Sequence, residues 1–117
     1  MAYTTKAKTF HREAGQRRAL IKSLARSLVL EERISTTEAK AKAVRPFVER
    51  LVSYAKKNTL ASRRLAITKL GDKDAVKKLF ATIGPRYEKR SGGYLRITKR
   101  LTRGANDARK LAYISFV

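Results

Sequence analysis

From Gln16 to Leu30 the apolar residues Leu20, Ile21, Leu24, Ala25, Leu28 and Val29 return at helical spacing, and Arg17, Arg18, Lys22 and Arg26 fall largely between them. That pattern predicts an amphipathic helix with one face packed and the other turned to a partner. Arg33-Ile34-Ser35-Thr36 reads as a short strand, after which Thr36 or Thr37 can cap a helix with Glu38 near its positive end. This second helix is expected over Glu38 to Lys57, with Ala39, Ala43, Val44, Phe47, Val48, Leu51, Val52, Tyr54 and Ala55 as its buried stripe. Pro46 lacks an amide proton and crowds the preceding turn, so a kink between Lys42 and Pro46, or two abutting helices, is expected there.

Asn58-Thr59 breaks the pattern. Leu60, Leu65, Ala66, Ile67 and Leu70 mark a third helix closed by Gly71, and Asp72 or Asp74 caps a fourth through Ala75, Val76, Leu79, Phe80 and Ile83, ended by Gly84 and Pro85. The period then changes. Arg86 to Gly93 is a polar loop, Tyr94 to Leu101 alternates like a strand, Arg103 to Asp107 is rich in turn formers, and Leu111 to Val117 is the strongest strand. The last two strands can pair as an antiparallel hairpin, to which the strand around Ile34 can add. The expected fold is α+β: a two-layer domain over residues 14–117, with about four helices packed on a small three-stranded mixed or antiparallel sheet. Residues 1–13 have no apolar period and read as an extended basic arm.

Charge narrows the function. Lys and Arg number 29 against 9 Asp and Glu, a net charge of +20, while 43% hydrophobic residues supply enough apolar material for a core. A polyanionic partner is implied, and self-repulsion should link folding to binding. Zero Cys removes disulfides, thiolate metal sites and thiol nucleophiles, and fits reducing surroundings. The longest apolar runs are too short to span a bilayer, so no membrane association is expected. The acid-free opening Met1 to Arg12 superficially resembles a transit peptide but lacks an amphipathic apolar face.

Catalytic constellations are nearly absent. His11 is the only histidine and lies in the arm, Ser and Thr have no placeable general base, and Glu31-Glu32 and Asp72/Asp74 are explained by capping and local pairing. Gly92-Gly93 lacks the spacing of a nucleotide-binding fingerprint. Neither an enzyme, a cofactor, a metal nor a small-molecule substrate is expected.

The cations fall in two blocks. Lys6, Lys8, Arg12, Arg17, Arg18, Lys22 and Arg26 crowd the first, and Arg86, Lys89, Arg90, Arg96, Lys99, Arg100 and Arg103 the second, with only Glu13 and Glu88 opposing them. Two phosphate-facing surfaces follow. In the loop between Gly84 and Ile97, Arg86 and Arg90 can clamp phosphates and Tyr87 and Tyr94 can stack on bases. Gly92 and Gly93 mark a positive φ or a close approach to a sugar–phosphate ridge. The alternative is a tight loop whose tyrosines belong to the core. An architectural DNA-binding protein would share the charge and size.

The succession Glu32-Arg33-Ile34-Ser35-Thr36-Thr37, Lys40-Ala41-Lys42, Arg45-Pro46-Phe47-Val48-Glu49, Arg63-Arg64, Gly84-Pro85-Arg86-Tyr87, Arg90-Ser91-Gly92-Gly93-Tyr94-Leu95-Arg96-Ile97 and Leu111-Ala112-Tyr113-Ile114 closely resembles the bacterial large-subunit ribosomal protein seventeen family, from about Arg12 to the C-terminus. The resemblance implies a structural, ribosome-bound role in the cytoplasm or an organelle. Its partners would be large-subunit ribosomal RNA and neighbouring large-subunit proteins, on the outer side of the subunit near the peptide exit region. By the same resemblance Arg12, Arg17, Thr36, Thr37, Lys40, Lys42, Arg63, Arg64, Arg86, Arg90, Gly92, Gly93, Tyr94 and Arg96 occupy the family's characteristic positions. Thr36 and Thr37 can equally serve as caps and Tyr94 as core. The chain departs from the family's pattern at both ends, in Met1-Ala2-Tyr3 and from Gly104 to Ala112, so contacts there carry over less directly than those of the centre.

Overall fold

The structure is a computed structural model that describes residues 14–100 and 110–117. Its elements are α1 (Ala14–Glu31), β1 (Arg33–Thr37), α2 (Glu38–Lys57), α3 (Leu60–Leu70) and α4 (Lys73–Lys78). α4 continues through a π turn (Leu79–Ile83) into a last helical turn, α5 (Gly84–Arg86), before β2 (Leu95–Lys99) and β3 (Leu111–Phe116). The fold is α+β, with helices packed on a three-stranded antiparallel sheet of order β1-β3-β2. The C-terminal strand is therefore central. Ile114 faces Ile34 on one side and Ile97 on the other.

α2 organises the core. Ala41, Val44, Val48, Leu51, Val52 and Ala55 are buried along it, and it touches all three strands as well as α1, α3 and the π turn. From α1 come Ala25, Leu28 and Val29, and from the π turn Leu79, Phe80 and Ile83. Each fully buried Val, Leu or Ile contributes about 1.5–3 kcal/mol relative to exposure, so this interlock is the main source of stability. Two readings of stripe membership change. Ala39 is exposed while Ala41 is buried. On α3 the small residues Ser62 and Ala66 pack with Leu70, whereas Leu60, Leu65 and Ile67 are exposed, Leu60 by 65%. Ser62, Ala66 and Leu70 share one face at fourfold spacing, and the larger side chains lie off it.

The helix ends follow local chemistry. Thr37 rather than Thr36 caps α2, its side chain accepting from the Lys40 amide at 3.3 Å. Asn58 closes that helix at φ 50°, and Thr59 with Ser62 forms a capping box for α3. Gly71 ends α3 at φ 72°, and Asp72, not Asp74, caps α4.

Neither Pro46 nor Gly84 ends a helix. α2 runs unbroken through Pro46, which is exposed, as is Lys42, whose carbonyl the proline leaves without its amide partner. Gly84 does not terminate its helix either: it is helical at φ −55°, and a Cβ there would lie 2.9 Å from Ala55 Cβ and 3.0 Å from the Ala55 carbonyl oxygen. The missing side chain lets α5 approach α2, and Pro85 starts the last turn instead of stopping the previous one.

Candidate nucleic-acid interface

The expected cations map to separate places. On α1, Arg17, Arg18 and Lys22 line a groove of about 360 Å³ whose floor is Ile21 and Phe47 and whose far wall is Thr68 and Lys69 of α3. The Lys22 ammonium donates to the Thr68 carbonyl at 3.5 Å. Arg26, on the same helix, lies 3.8 Å from Asp72. An apolar floor rimmed by long cationic side chains holds the charges at the surface while their stems pack. Of the α3 pair, Arg64 is exposed, and Arg63 lies over the Phe80 ring with its guanidinium carbon 4.7 Å from the centroid.

The α2 positions divide. Lys42 is exposed and paired with Glu38 at 3.0 Å; Lys40 is half-buried. The Lys42 hydrogen bond, with the charges of Lys42, Lys99 and Lys110, holds the Glu38 carboxyl below the ordinary glutamate range. Thr36 is half-buried in β1 opposite Ala112.

The loop from Arg86 to Tyr94 is tied to its own domain. Arg86 Nη1 donates to Glu32 Oε1 at 2.6 Å, and Lys78 Nζ lies 3.2 Å from the other oxygen of that carboxylate. The Arg86 hydrogen bond, supported by Lys78, lowers the Glu32 pKa, and the same bond raises that of Arg86. Glu32 itself sits at φ 66°, where its amide closes α1 onto the Leu28 carbonyl at 2.7 Å and its carbonyl accepts from Phe116. A left-handed conformation in a residue with a Cβ costs roughly 1 kcal/mol, which these bonds oppose. Arg90 Nε donates to the Gly92 carbonyl at 3.0 Å, and the Arg90 carbonyl accepts from both Lys56 Nζ and the Tyr94 hydroxyl.

The tyrosines of this loop do not offer stacking faces. Tyr87 is 4% and Tyr94 3% exposed, their ring centroids lie 5.3 Å apart, and Tyr87 stacks on Phe116. Tyr87 donates to the Val117 carbonyl at 2.5 Å, and Lys56 donates to the Tyr94 hydroxyl at 2.8 Å. Core packing with satisfied hydroxyls is what a buried tyrosine requires, and it replaces the base-stacking reading. Gly93 has the positive φ expected of the pair, at 64°; Gly92 has no positive φ, and a Cβ on it would meet nothing within 4 Å.

Arg96 and Arg100 stand elsewhere, at outward positions of β2 and its end. Arg96 is exposed; Arg100 donates to Ser35 Oγ at 3.1 Å and lies 5.5 Å from the Tyr113 ring centroid, while Arg33 lies 4.0 Å from the same centroid. Composition does not single out Arg33 and Tyr113, because they belong to strands at opposite ends of the chain. The available signal is the alternation within β1 and β3, which turns both away from the core. Lys6, Lys8 and Arg12, with the arm, His11, Arg103 and the turn after it, lie outside the described residues.

Across the described residues the carboxylates are largely engaged internally: Glu32 with Arg86 and Lys78, Glu38 with Lys42, Glu49 with Arg45, and Asp72 with Arg26. The surplus is positive and exposed. No helix among the described residues is long and apolar enough to cross a membrane, and no group of His, Cys, Asp or Glu among them could hold a metal.

The family model for ribosomal protein L17 matches residues 20–117. The chain belongs to the ribosomal protein L17 family. Large ribosomal subunit protein bL17 of Hydrogenobaculum sp. is 55% identical over 117 residues, covering 100% of this chain and 99% of its own. The proteins of the same name from Sulfurihydrogenibium sp. and Thermodesulfovibrio yellowstonii are 45% and 46% identical over the whole of this chain, covering 97% and 87% of theirs. The family model begins after Arg17 and Arg18, but these L17 relatives align through both ends. The ribosomal protein L17 family is structural and non-enzymatic, in keeping with the lack of a catalytic constellation in the sequence.

Proposed function

We propose that this chain is a structural constituent of the large ribosomal subunit, bound to folded ribosomal RNA on the outer side of the subunit near the peptide exit region. It neutralises crowded phosphates and fixes the relative orientation of RNA helices, and no turnover is involved. The observation that carries the reading is the family match, which spans nearly the whole chain. Support for the mechanism comes from the engaged carboxylates, which leave Arg18, Lys22, Arg64 and Arg96 exposed on a rigid frame. Of the sequence-derived contacts, the proposal keeps Arg18, Arg64, Arg96 and Arg100, together with Lys6, Lys8 and Arg12, and leaves out Arg86, whose guanidinium is taken up by Glu32. It leaves Tyr87, Tyr94 and Thr37 to core and capping roles.

Co-sedimentation tests it. The endogenous protein should travel stoichiometrically with the large subunit through a gradient. In vitro, affinity for large-subunit ribosomal RNA should fall by on the order of a thousandfold between ~50 and ~200 mM salt if about six phosphates are neutralised. Absence from the large-subunit peak, with equal affinity for duplex DNA, would favour the architectural DNA-binding alternative.

A further inference from the structure

The outer face of the sheet is built differently from the rest of the basic surface. Strand alternation places Arg33 and Ser35 of β1, Tyr113 and Ser115 of β3, and Arg96 and Thr98 of β2 on the side away from α2. The registers pair Ser35 with Tyr113 and Tyr113 with Thr98, so the ring stands at the centre of the face. Arg100 crosses from the end of β2 to the Ser35 hydroxyl, passing 5.5 Å from that ring, and the exposed Arg33 guanidinium stacks on it at 4.0 Å. None of the outward strand positions is acidic. Among the described residues no carboxylate pairs with either guanidinium, so the two groups on this ring repel one another, and an anion placed between them would relieve that repulsion.

We propose that this face binds an unpaired nucleotide of RNA, its base stacked on the Arg33–Tyr113 pair and its flanking phosphates on Arg100 and Arg96. The inference rests on the RNA-binding reading above and adds to it a site and a nucleotide conformation. A planar guanidinium over an aromatic ring presents a second flat surface on which any base can stack, and single strands are the form of RNA whose bases are free to do so. Charge complementarity selects the nucleic-acid strand over a protein segment as the occupant. The Arg100–Ser35 hydrogen bond holds one phosphate-binding group in place before binding, which lowers the ordering cost.

The test uses the full chain with two probes of matched charge, a ~10-nucleotide single-stranded RNA and an RNA duplex. Tyr113→Val keeps a strand-forming residue but removes the ring; it should weaken single-strand binding about tenfold and leave duplex binding and the salt slope unchanged. Tyr113→Phe should restore single-strand affinity. Arg33→Gln should weaken single-strand binding more than duplex binding. Equal loss on both probes, or a Tyr113→Val variant that melts normally and binds the single strand normally, would overturn the proposal. If Tyr113→Val unfolds, photocrosslinking of a thiouridine-containing single strand to the wild-type chain decides instead. Crosslinks in the peptide holding Tyr113 or Arg33 support the site, and crosslinks confined to other elements, or contact of this face with a neighbouring protein in the intact subunit, refute it. Wild-type co-sedimentation is scored separately, so loss of this site leaves the ribosomal reading standing, and absence from the subunit removes that reading on its own.

Discussion

The loop from Arg86 to Tyr94 and the outer face of the sheet look alike in composition, each mixing arginine with tyrosine, yet folding treats them in opposite ways. In the loop, Arg86 is held by Glu32, Arg90 is turned back onto Gly92, and both tyrosines are buried. On the sheet, Arg96 stays exposed and Tyr113 has two guanidinium groups beside its ring, neither paired with a carboxylate among the described residues. The density of basic residues along a chain therefore does not measure the charge it offers to RNA. What matters is which cations the fold pairs off. The loop is a structural clasp, closing α1, the end of the π-bulged helix and the C-terminus on one another through Glu32, Arg86, Tyr87 and Val117.

The largest effect is expected from loosening that clasp. Gly84→Val would drive a branched side chain into Ala55 and should cost on the order of 3 kcal/mol in urea unfolding. An unchanged midpoint would mean α5 does not need its close approach to α2. Next, Arg86→Gln should lower stability by about 1 kcal/mol, since the pair is partly exposed and Lys78 remains beside Glu32, whereas Arg96→Gln should leave the melting temperature unchanged. Equal effects of the two would erase the distinction between clasp and open face.

The smallest effect is a pH dependence. Glu32 has a folded-state pKa below its unfolded value, so its contribution is fully present above the ordinary glutamate range. It is lost as pH falls through the lowered value. Glu32→Gln should accordingly lower the melting temperature near neutral pH and converge with wild type in acid. Curves that diverge on acidification would contradict the assignment.

Most of the architecture is legible in the sequence because it depends on local chemistry. The helical spacing of α1 and α2, the breaks at Asn58 and Gly71, the Asp72 cap and the alternation of β3 all follow from neighbours a few residues apart. The departures depend on contacts distant in sequence. Gly84 looks like a helix stop until Ala55 is seen against it, and Pro46 looks disruptive until its side of α2 proves exposed. Tyr94 looks available until Lys56 and Tyr87 enclose it. The same limit hides Arg33 and Tyr113, which meet only because β3 inserts between β1 and β2.

The central claim, that RNA is bound by the cations the fold leaves open, is tested most directly by the salt dependence of binding to large-subunit ribosomal RNA. Wild type, Arg96→Gln and Arg86→Gln should be compared on one RNA preparation. The slope of log affinity against log salt should become shallower by about one for Arg96→Gln and remain at the wild-type value for Arg86→Gln. A slope reduced by Arg86→Gln and untouched by Arg96→Gln would contradict the account.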